Sequence, residues 1–271
     1  MALTSFIPTL WAAAALQGFR PAEVVAQLTN REYEGNATSG NKVTVNTLAL
    51  SAGVQNYATT RTHTVSNVDS TAQDILINQE KAIAFGVQDI DRVQAAGSLE
   101  PIVGEAAKLL SEDAEAYIIS TMTTGGTAAG TVAITTPDAA IDKVGELRKI
   151  MSKANVPNGG RYLVINPEFL ELLLKASSKL TNVDMSGETS GLRDAVIGRL
   201  SNFTIVESNM LLNANKPAAV ALHTSAVAYV NQIQEVEAFR SQNAFSDVVR
   251  MLHVYGAKVL RPTAVHVYLS A

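Results

Sequence analysis

The sequence predicts an α+β fold, and three observations carry that expectation. An apolar stripe at helical spacing runs unbroken from Leu99 to Met122. The chain then alternates helices and strands as far as Val206, and its last part reads almost wholly as strand. With 271 residues, there is material for one large or two interlocked structured regions.

The opening residues read as two short helices divided at Arg20–Pro21. Pro21 suits a first helical position, and Val24, Val25 and Leu28 give the second helix an apolar stripe. Trp11 to Leu16 is apolar, yet the first basic residue, Arg20, lies after it. That order argues for a packed terminal helix and cytoplasmic synthesis rather than a secretory signal. Next, Ser39–Gly40–Asn41 reads as a turn into a β-branched run with Val43, Val45 and Leu48. A second extended run, Gln55 to Val65, is the expected return arm of a hairpin. Both of its faces are polar, so it gains stability only by lying on something else.

From Ile75 to Val87, the residues Ile75, Ile77, Ile83, Phe85 and Val87 alternate as one half-buried strand or hairpin arm. Ser98 is placed to cap the long helix. Leu99, Ile102, Val103, Ala106, Leu110, Ala114, Tyr117 and Ile118 form its stripe. Such a helix would be roughly 35 Å long, a spine for the fold. Gly125, Gly126 and Gly130 read as a flexible break. Thr136–Pro137–Asp138 then starts a helix lined by Ile141, Val144, Leu147, Ile150 and Met151. A turn at Asn158–Gly159–Gly160 leads to a strand, Tyr162 to Ile165, and Asn166–Pro167 caps a helix bearing Phe169, Leu170, Leu173 and Leu174. Ser186 to Ser190 reads as loop, Leu192 to Leu200 as a short helix, and Phe203 to Val206 as strand. Four strands close the chain: Val220 to Val230, Glu235 to Phe239, Val248 to Leu260 and Val265 to Leu269.

Composition removes several function classes. The absence of cysteine excludes disulfides, thiolate nucleophiles and cysteine-based metal sites. The formal net charge is −4 and the Lys and Arg residues are scattered, which argues against tight nucleic-acid binding. Charged residues make up 17%, against roughly 25% in ordinary soluble proteins. Either partners cover part of the surface or neutral polar residues replace the missing charges, and the Thr, Ser and Asn content favours the second. The apolar stretches Ile7 to Leu16 and Ala218 to Leu222 are too short to span a bilayer.

Catalytic signatures are missing. His63, His223, His253 and His266 are isolated from one another and read as structural. Gly125 and Gly130 have the spacing of a phosphate loop, but Thr131 and Val132 stand where that loop needs Lys and a hydroxyl. Asp89 and Asp91 lack the further ligands of a calcium loop, so a polar turn is expected there. The acidic run Glu112, Asp113 and Glu115 reads as a solvated helix face, as do Arg148, Lys149 and Lys153. No catalytic residue, cofactor or metal is expected.

Blocks in fixed order carry a resemblance. They include Phe6–Ile7–Pro8–Thr9–Leu10–Trp11, Arg31–Glu32–Tyr33–Glu34–Gly35 and Gly40–Asn41–Lys42–Val43. Further along stand Ile75 to Lys81, Val87–Gln88–Asp89–Ile90–Asp91, Ile197–Gly198–Arg199–Leu200, Val206–Glu207–Ser208–Asn209 and Tyr255–Gly256–Ala257–Lys258–Val259 with Arg261–Pro262. Across nearly the whole chain the sequence resembles major capsid proteins of tailed bacteriophages, with the Hong Kong phage type of fold. That resemblance implies an N-arm over residues 1–34 and an extended hairpin, the E-loop, over 35–70 that overlaps a neighbouring subunit. It also implies a peripheral domain with the spine helix over 71–135, an axial domain over 136–230, and peripheral return strands over 231–271.

The function implied is self-assembly into hexamers and pentamers of an icosahedral shell around a double-stranded DNA genome, bound without sequence specificity and with no membrane. Capsid residues begin within the first ten positions, so a separate scaffolding protein is expected, beside a portal and a decoration or minor capsid protein. Trp11, Phe19, Tyr33, Lys42, Tyr57 and Arg61 are the expected inter-subunit contacts. Some relatives weld subunits through a Lys–Asn bond. Lys42 has no matching partner Asn or acidic catalyst, so no covalent crosslink is expected. The virion is the expected location, after assembly in the host cytoplasm. The rival readings are an encapsulin-type nanocompartment shell, an enzyme with an unrecognised site, and a decoration or tail protein.

Overall fold

One long helix packs against two β-sheets, and a third, two-stranded sheet projects from a base packed on one of them. The computed structural model describes residues 24–34, 40–50, 53–54, 61, 63, 65, 67–88, 100–175, 198–241 and 244–271. Within these, Val25–Leu28 form a single turn of 3-10 helix, shorter than the amphipathic helix expected there; Pro21 lies outside the described residues. Val25 and Leu28 are nonetheless buried, so the stripe read from the sequence does face the core.

Strand β1 (Lys42–Leu50) pairs antiparallel with β2 (Val68–Leu76), from Lys42 opposite Leu76 at the base to Leu50 opposite Val68. Each strand is about 30 Å long at the usual rise. The return arm is therefore Val68–Leu76 and not the run Gln55 to Val65. Sequence pattern could not show this, because Val68–Leu76 is polar on both faces and its pairing is fixed at the base. There Val43, Ile75 and Ile77 pack with Ala228, Val230 and Val254. Along most of β2 the side chains are exposed.

Strand β3 (Gln79–Gln88) follows in a different sheet, so the alternation from Ile75 to Val87 is two strands rather than one. Ile77 and Asn78 make the passage, where the chain crosses over Gly256 at main-chain contact: a Cβ on that glycine would lie 2.9 Å from the Leu76 carbonyl carbon and 3.0 Å from Ile77 Cα. Strands β3, β10 (Ser246–Val259) and β9 (Val227–Arg240) form an antiparallel sheet in the order β3-β10-β9.

Helix α1 (Glu100–Gly125) lies on one face of this sheet, with Ala106 and Leu110 against Met251, Ile83, Phe85 and Val249. It runs three residues past the expected end. Gly126 is needed there for close approach, since a Cβ would sit 2.6 Å from the Met122 carbonyl oxygen and 2.8 Å from Val267 Cγ2. Among the glycines of the expected flexible break, Gly130 alone adopts a positive φ, +97°. Ser98 lies outside the described residues.

The third sheet has the order β4-β11-β8-β5-β7-β6. Its strands are β4 (Thr127–Ala128), β5 (Arg161–Ile165), β6 (Arg199–Leu200), β7 (Phe203–Glu207), β8 (Ala218–His223) and β11 (Val265–Leu269). Val164, Val220, Leu222, Val265 and Val267 face Ile118 and Met122 of α1. The opposite face presents Leu163, Ile165, Ala219, Ala221 and Tyr268 to α2 (Pro137–Lys153) and α3 (Pro167–Leu174). A sheet covered on both faces has no polar alternation, as its sequence showed. Both helices begin where expected: the Thr136 hydroxyl accepts from Ala139 N, and Asn166 Oδ1 accepts from Phe169 N at 3.1 Å.

Two expectations fail in this region. Residues 199–200 are strand β6, not the end of a helix, and 192–197 lie outside the described residues. The run Val220 to Val230 is two strands in two sheets, broken by a 3-10 turn at Thr224–Ala226 whose Ser225 N–H is accepted by His223 Nδ1 at 3.2 Å. The polar run His223–Thr224–Ser225, half-buried between the buried Leu222 and Ala226, marks the break that the expectation of one continuous strand overlooked.

Candidate assembly surfaces

Two features of the fold lack a partner of their own among the described residues. The first is the β1–β2 hairpin, held only at its base. Gln232 Nε2 donates to the Gly40 carbonyl at 2.9 Å, Lys258 Nζ to the Asp74 carbonyl at 2.7 Å, and Ile77 N to the Asn41 carbonyl at 2.9 Å. Beyond that base, Val54, Val65 and Val68 are exposed. The second is the face of the β3-β10-β9 sheet turned away from α1. Its rows are Ala82–Leu252–Glu235, Ala84–Arg250–Glu237 and Gly86–Val248–Phe239. The β3 residues in these rows are small and exposed, which leaves a shelf beside the Arg250–Glu237 ion pair at 2.6 Å. Arg250 also lies over the Phe239 ring, 5.1 Å from its centroid. Exposed Phe245 stands at the sheet's end.

The expected contact residues fall into three groups. Trp11, Phe19 and Tyr57 lie outside the described residues. Tyr33 is half-buried against the Val43–Ile75 cluster, near the Arg31–Glu34 pair at 2.8 Å. Lys42 and Arg61 are exposed, and Arg61 has a φ of +50°. The Lys42 ammonium lies 2.8 Å from Asp74, and its hydrogen bond, with that of Thr44, holds the Asp74 carboxyl below its ordinary value.

The acidic run on α1 is not uniformly solvated. Asp113 is exposed, as expected, yet it accepts the Tyr255 hydroxyl at 2.7 Å. Burial, followed by that bond, pushes the Tyr255 pKa far up. Glu115 is 1% exposed and accepts from Val24 N at 2.8 Å and from the Ser208 hydroxyl at 2.9 Å. No local signal marks it, because its donors lie 91 and 93 residues away in sequence. Arg148, Lys149 and Lys153 are exposed, as expected.

The two buried histidines serve the architecture. His253 is buried beneath α1, its ring tilted 39° against Tyr255 at a centroid distance of 4.6 Å and its Nε2 3.4 Å from the Tyr229 hydroxyl. Buried His266 bonds the Thr263 carbonyl at 3.0 Å through Nε2. Burial pushes both pKa values below 6.5, against smaller opposing pulls from the Leu110 backbone and Asp113 on His253, and from the Thr263 backbone on His266. The unfolded chain therefore takes up these protons first, so stability is retained above about pH 6.5 and lost as pH falls below it. The thermal midpoint should drop between about pH 7 and about pH 5, and His253→Phe should flatten that slope in melts followed by circular dichroism. His223 is partly exposed, and His63 is exposed.

Among the described residues, no group of three or more His, Cys, Asp or Glu side chains converges as a metal site would require, and no helix is long and apolar enough to cross a membrane. Asp89 and Asp91 lie outside those residues.

Comparison with known proteins supplies the family. A family model described as phage capsid protein matches residues 79–268. A solved structure from Mycobacterium phage Che8 is 44% identical, with 98% of each chain covered and a TM-score of 0.89. The capsid structure of cyanophage P-SCSP1u covers 100% of this chain and 95% of its own at 16% identity, with a TM-score of 0.81. A virus-like particle from Pyrococcus furiosus aligns over 84% of this chain and 86% of its own at 16% identity, with a TM-score of 0.54. The last two show likeness of fold alone. Comparison with curated protein sequences returns no match. With an unpartnered hairpin, an open sheet face and a family match over most of its length, this chain belongs to the phage capsid protein family, the structural proteins that build the icosahedral shell of the virion.

Proposed function

We propose that this subunit assembles into hexamers and pentamers around double-stranded DNA, and that each hairpin lies across the open sheet face of a neighbour. The observation that carries this reading is the β1–β2 hairpin, two strands of nine residues each, packed only at their base. An isolated two-stranded sheet is marginal in water, so its stability must come from another surface. The shelf over Ala82, Ala84 and Gly86 offers one, long enough to receive part of a hairpin. Each contact is weak, and ring closure multiplies them into a stable particle.

In this account residues 1–34 act as the N-arm and 35–70 as the overlapping loop. Residues 71–135 and 231–271 form the peripheral domain with α1 as its spine, and 136–230 form the axial domain at the capsomer centre. Trp11, Phe19, Tyr33, Lys42, Tyr57 and Arg61 contact neighbouring copies. The subunit performs no catalysis. Its partners are a separate scaffolding protein, a portal and a decoration or minor capsid protein, and assembly takes place in the host cytoplasm.

The hairpin contact can be tested with a photo-crosslinking side chain at Thr47, which is exposed on β1. Assembled particles mixed from isotopically distinct subunits should give products joining Thr47 to β3, β9 or β10 of another copy. Products confined to one chain, or to other regions of a second copy, would contradict the proposed overlap.

A further inference from the structure

Glu115 holds two distant parts of the chain with one buried carboxyl group. Oε2 accepts from Val24 N at 2.8 Å, and Oε1 accepts from Ser208 Oγ at 2.9 Å. Val24 begins the segment that seats Val25 and Leu28 in the core, and Asn30 of that segment continues onto the edge of β9. Ser208 begins the connection from β7 to β8, and its hydroxyl also accepts from Met210 N at 3.3 Å. Leu211 of that connection is 2% exposed and shares a core cluster with Val25, Leu28, Ala114 and Ile118. The N-terminal segment and the axial connection thus meet on one turn of α1, through shared apolar contacts and one shared acceptor group.

We propose that Glu115 is a two-sided latch, coupling the seating of residues 24–30 to the position of residues 208–217. A buried carboxyl group must keep its donors, because removal from water is costly without them. Lifting the N-terminal segment exposes Glu115 to water, which replaces both bonds. If Ser208 no longer donates, the closed state is weakened while the open state is unchanged, so the segment lifts more readily. Loosening the N-terminal segment frees the axial connection by the same coupling, since a coupling free energy acts equally in both directions. A disturbance where the N-terminal segment meets a neighbour would then reach the axial sheet without passing through the peripheral one. The latch belongs to the single subunit, so it stands or falls apart from the shell-building role.

Native-state hydrogen exchange on the full-length free subunit tests it. Ser208→Ala should speed exchange of the amides of residues 24–30 roughly tenfold, although the wild-type serine donates to none of them. Val25→Ala, which leaves the Val24 and Ser208 donors to Glu115 in place, should speed exchange at 208–212 by a similar factor. In a Glu115→Leu background, Ser208→Ala should no longer affect residues 24–30. Changes confined to the segment carrying each substitution would overturn the latch. So would an effect of Ser208→Ala that persists undiminished in Glu115→Leu. Where Glu115→Leu fails to fold, the absence of any Ser208→Ala effect on residues 24–30 still overturns the latch.

Discussion

Gly256→Ala is expected to abolish shell formation. The added methyl would meet the Leu76 carbonyl group and Ile77 Cα, with the carbonyl carbon at 2.9 Å and Cα at 3.0 Å. These are main-chain atoms and cannot rotate aside, so β10 and the hairpin base must move apart by roughly 1 Å. That shift strains the Lys258–Asp74 and Gln232–Gly40 bonds, which fix the direction of the hairpin. Overpacking of this kind costs about 1–3 kcal/mol, and more where backbone must move. The larger effect is geometric, because a small tilt at the base displaces the far end of a hairpin about 30 Å long by several times as much. Gly145→Ala provides the contrast. Gly145 is exposed on α2, and a Cβ there meets nothing within 4 Å. Alanine should stabilise that helix by about 1 kcal/mol and leave assembly unchanged. Thermal melts and electron micrographs of the two variants check both expectations.

Shortening the hairpin should separate folding from assembly. Val45 pairs with Gln73, so residues 46–72 can be replaced by an Asn-Gly turn that closes on this pair. The base residues Val43, Ile75 and Ile77 remain, so the two larger sheets and α1 keep their packing. The thermal midpoint should fall by only a few degrees, since the removed part buries little within the subunit. Shells should be absent at concentrations where the full chain assembles, because every subunit has lost one of the contacts that ring closure multiplies. Analytical ultracentrifugation reads the outcome directly. Shells of normal size from the shortened chain would remove the hairpin from the assembly mechanism.

Helices α1, α2 and α3 were legible in the sequence because each carries its own signal. Val144, Leu147 and Met151 repeat at helical spacing behind Thr136–Pro137, and Asn166–Pro167 marks the start of α3 without help from tertiary structure. Strand ends were less legible. Leu222 and Ala228 are equally buried on either side of the Thr224–Ala226 turn, so their apolar runs read as one long strand, although the polar His223–Thr224–Ser225 marks the break between two. The return arm of the hairpin was hidden for the opposite reason: Val68–Leu76 is polar throughout most of its length, and its pairing follows from anchorage near Ile75 and Ile77. Glu115 was misread as solvent-facing because the groups that bury it come from Val24 and Ser208. Local periodicity sees none of these long-range contacts, whereas the exposed side of β3 over Ala82, Ala84 and Gly86 follows from the alternation of Ile83, Phe85 and Val87.

Electron microscopy of the purified full-length protein, produced with and without a candidate scaffolding protein, tests the shell-building role most directly. The account predicts thin-walled polyhedral particles of uniform size, with hexameric and pentameric capsomers and hairpins crossing between neighbouring subunits. A monodisperse monomer under both conditions, at concentrations sufficient for related shells to form, would contradict it.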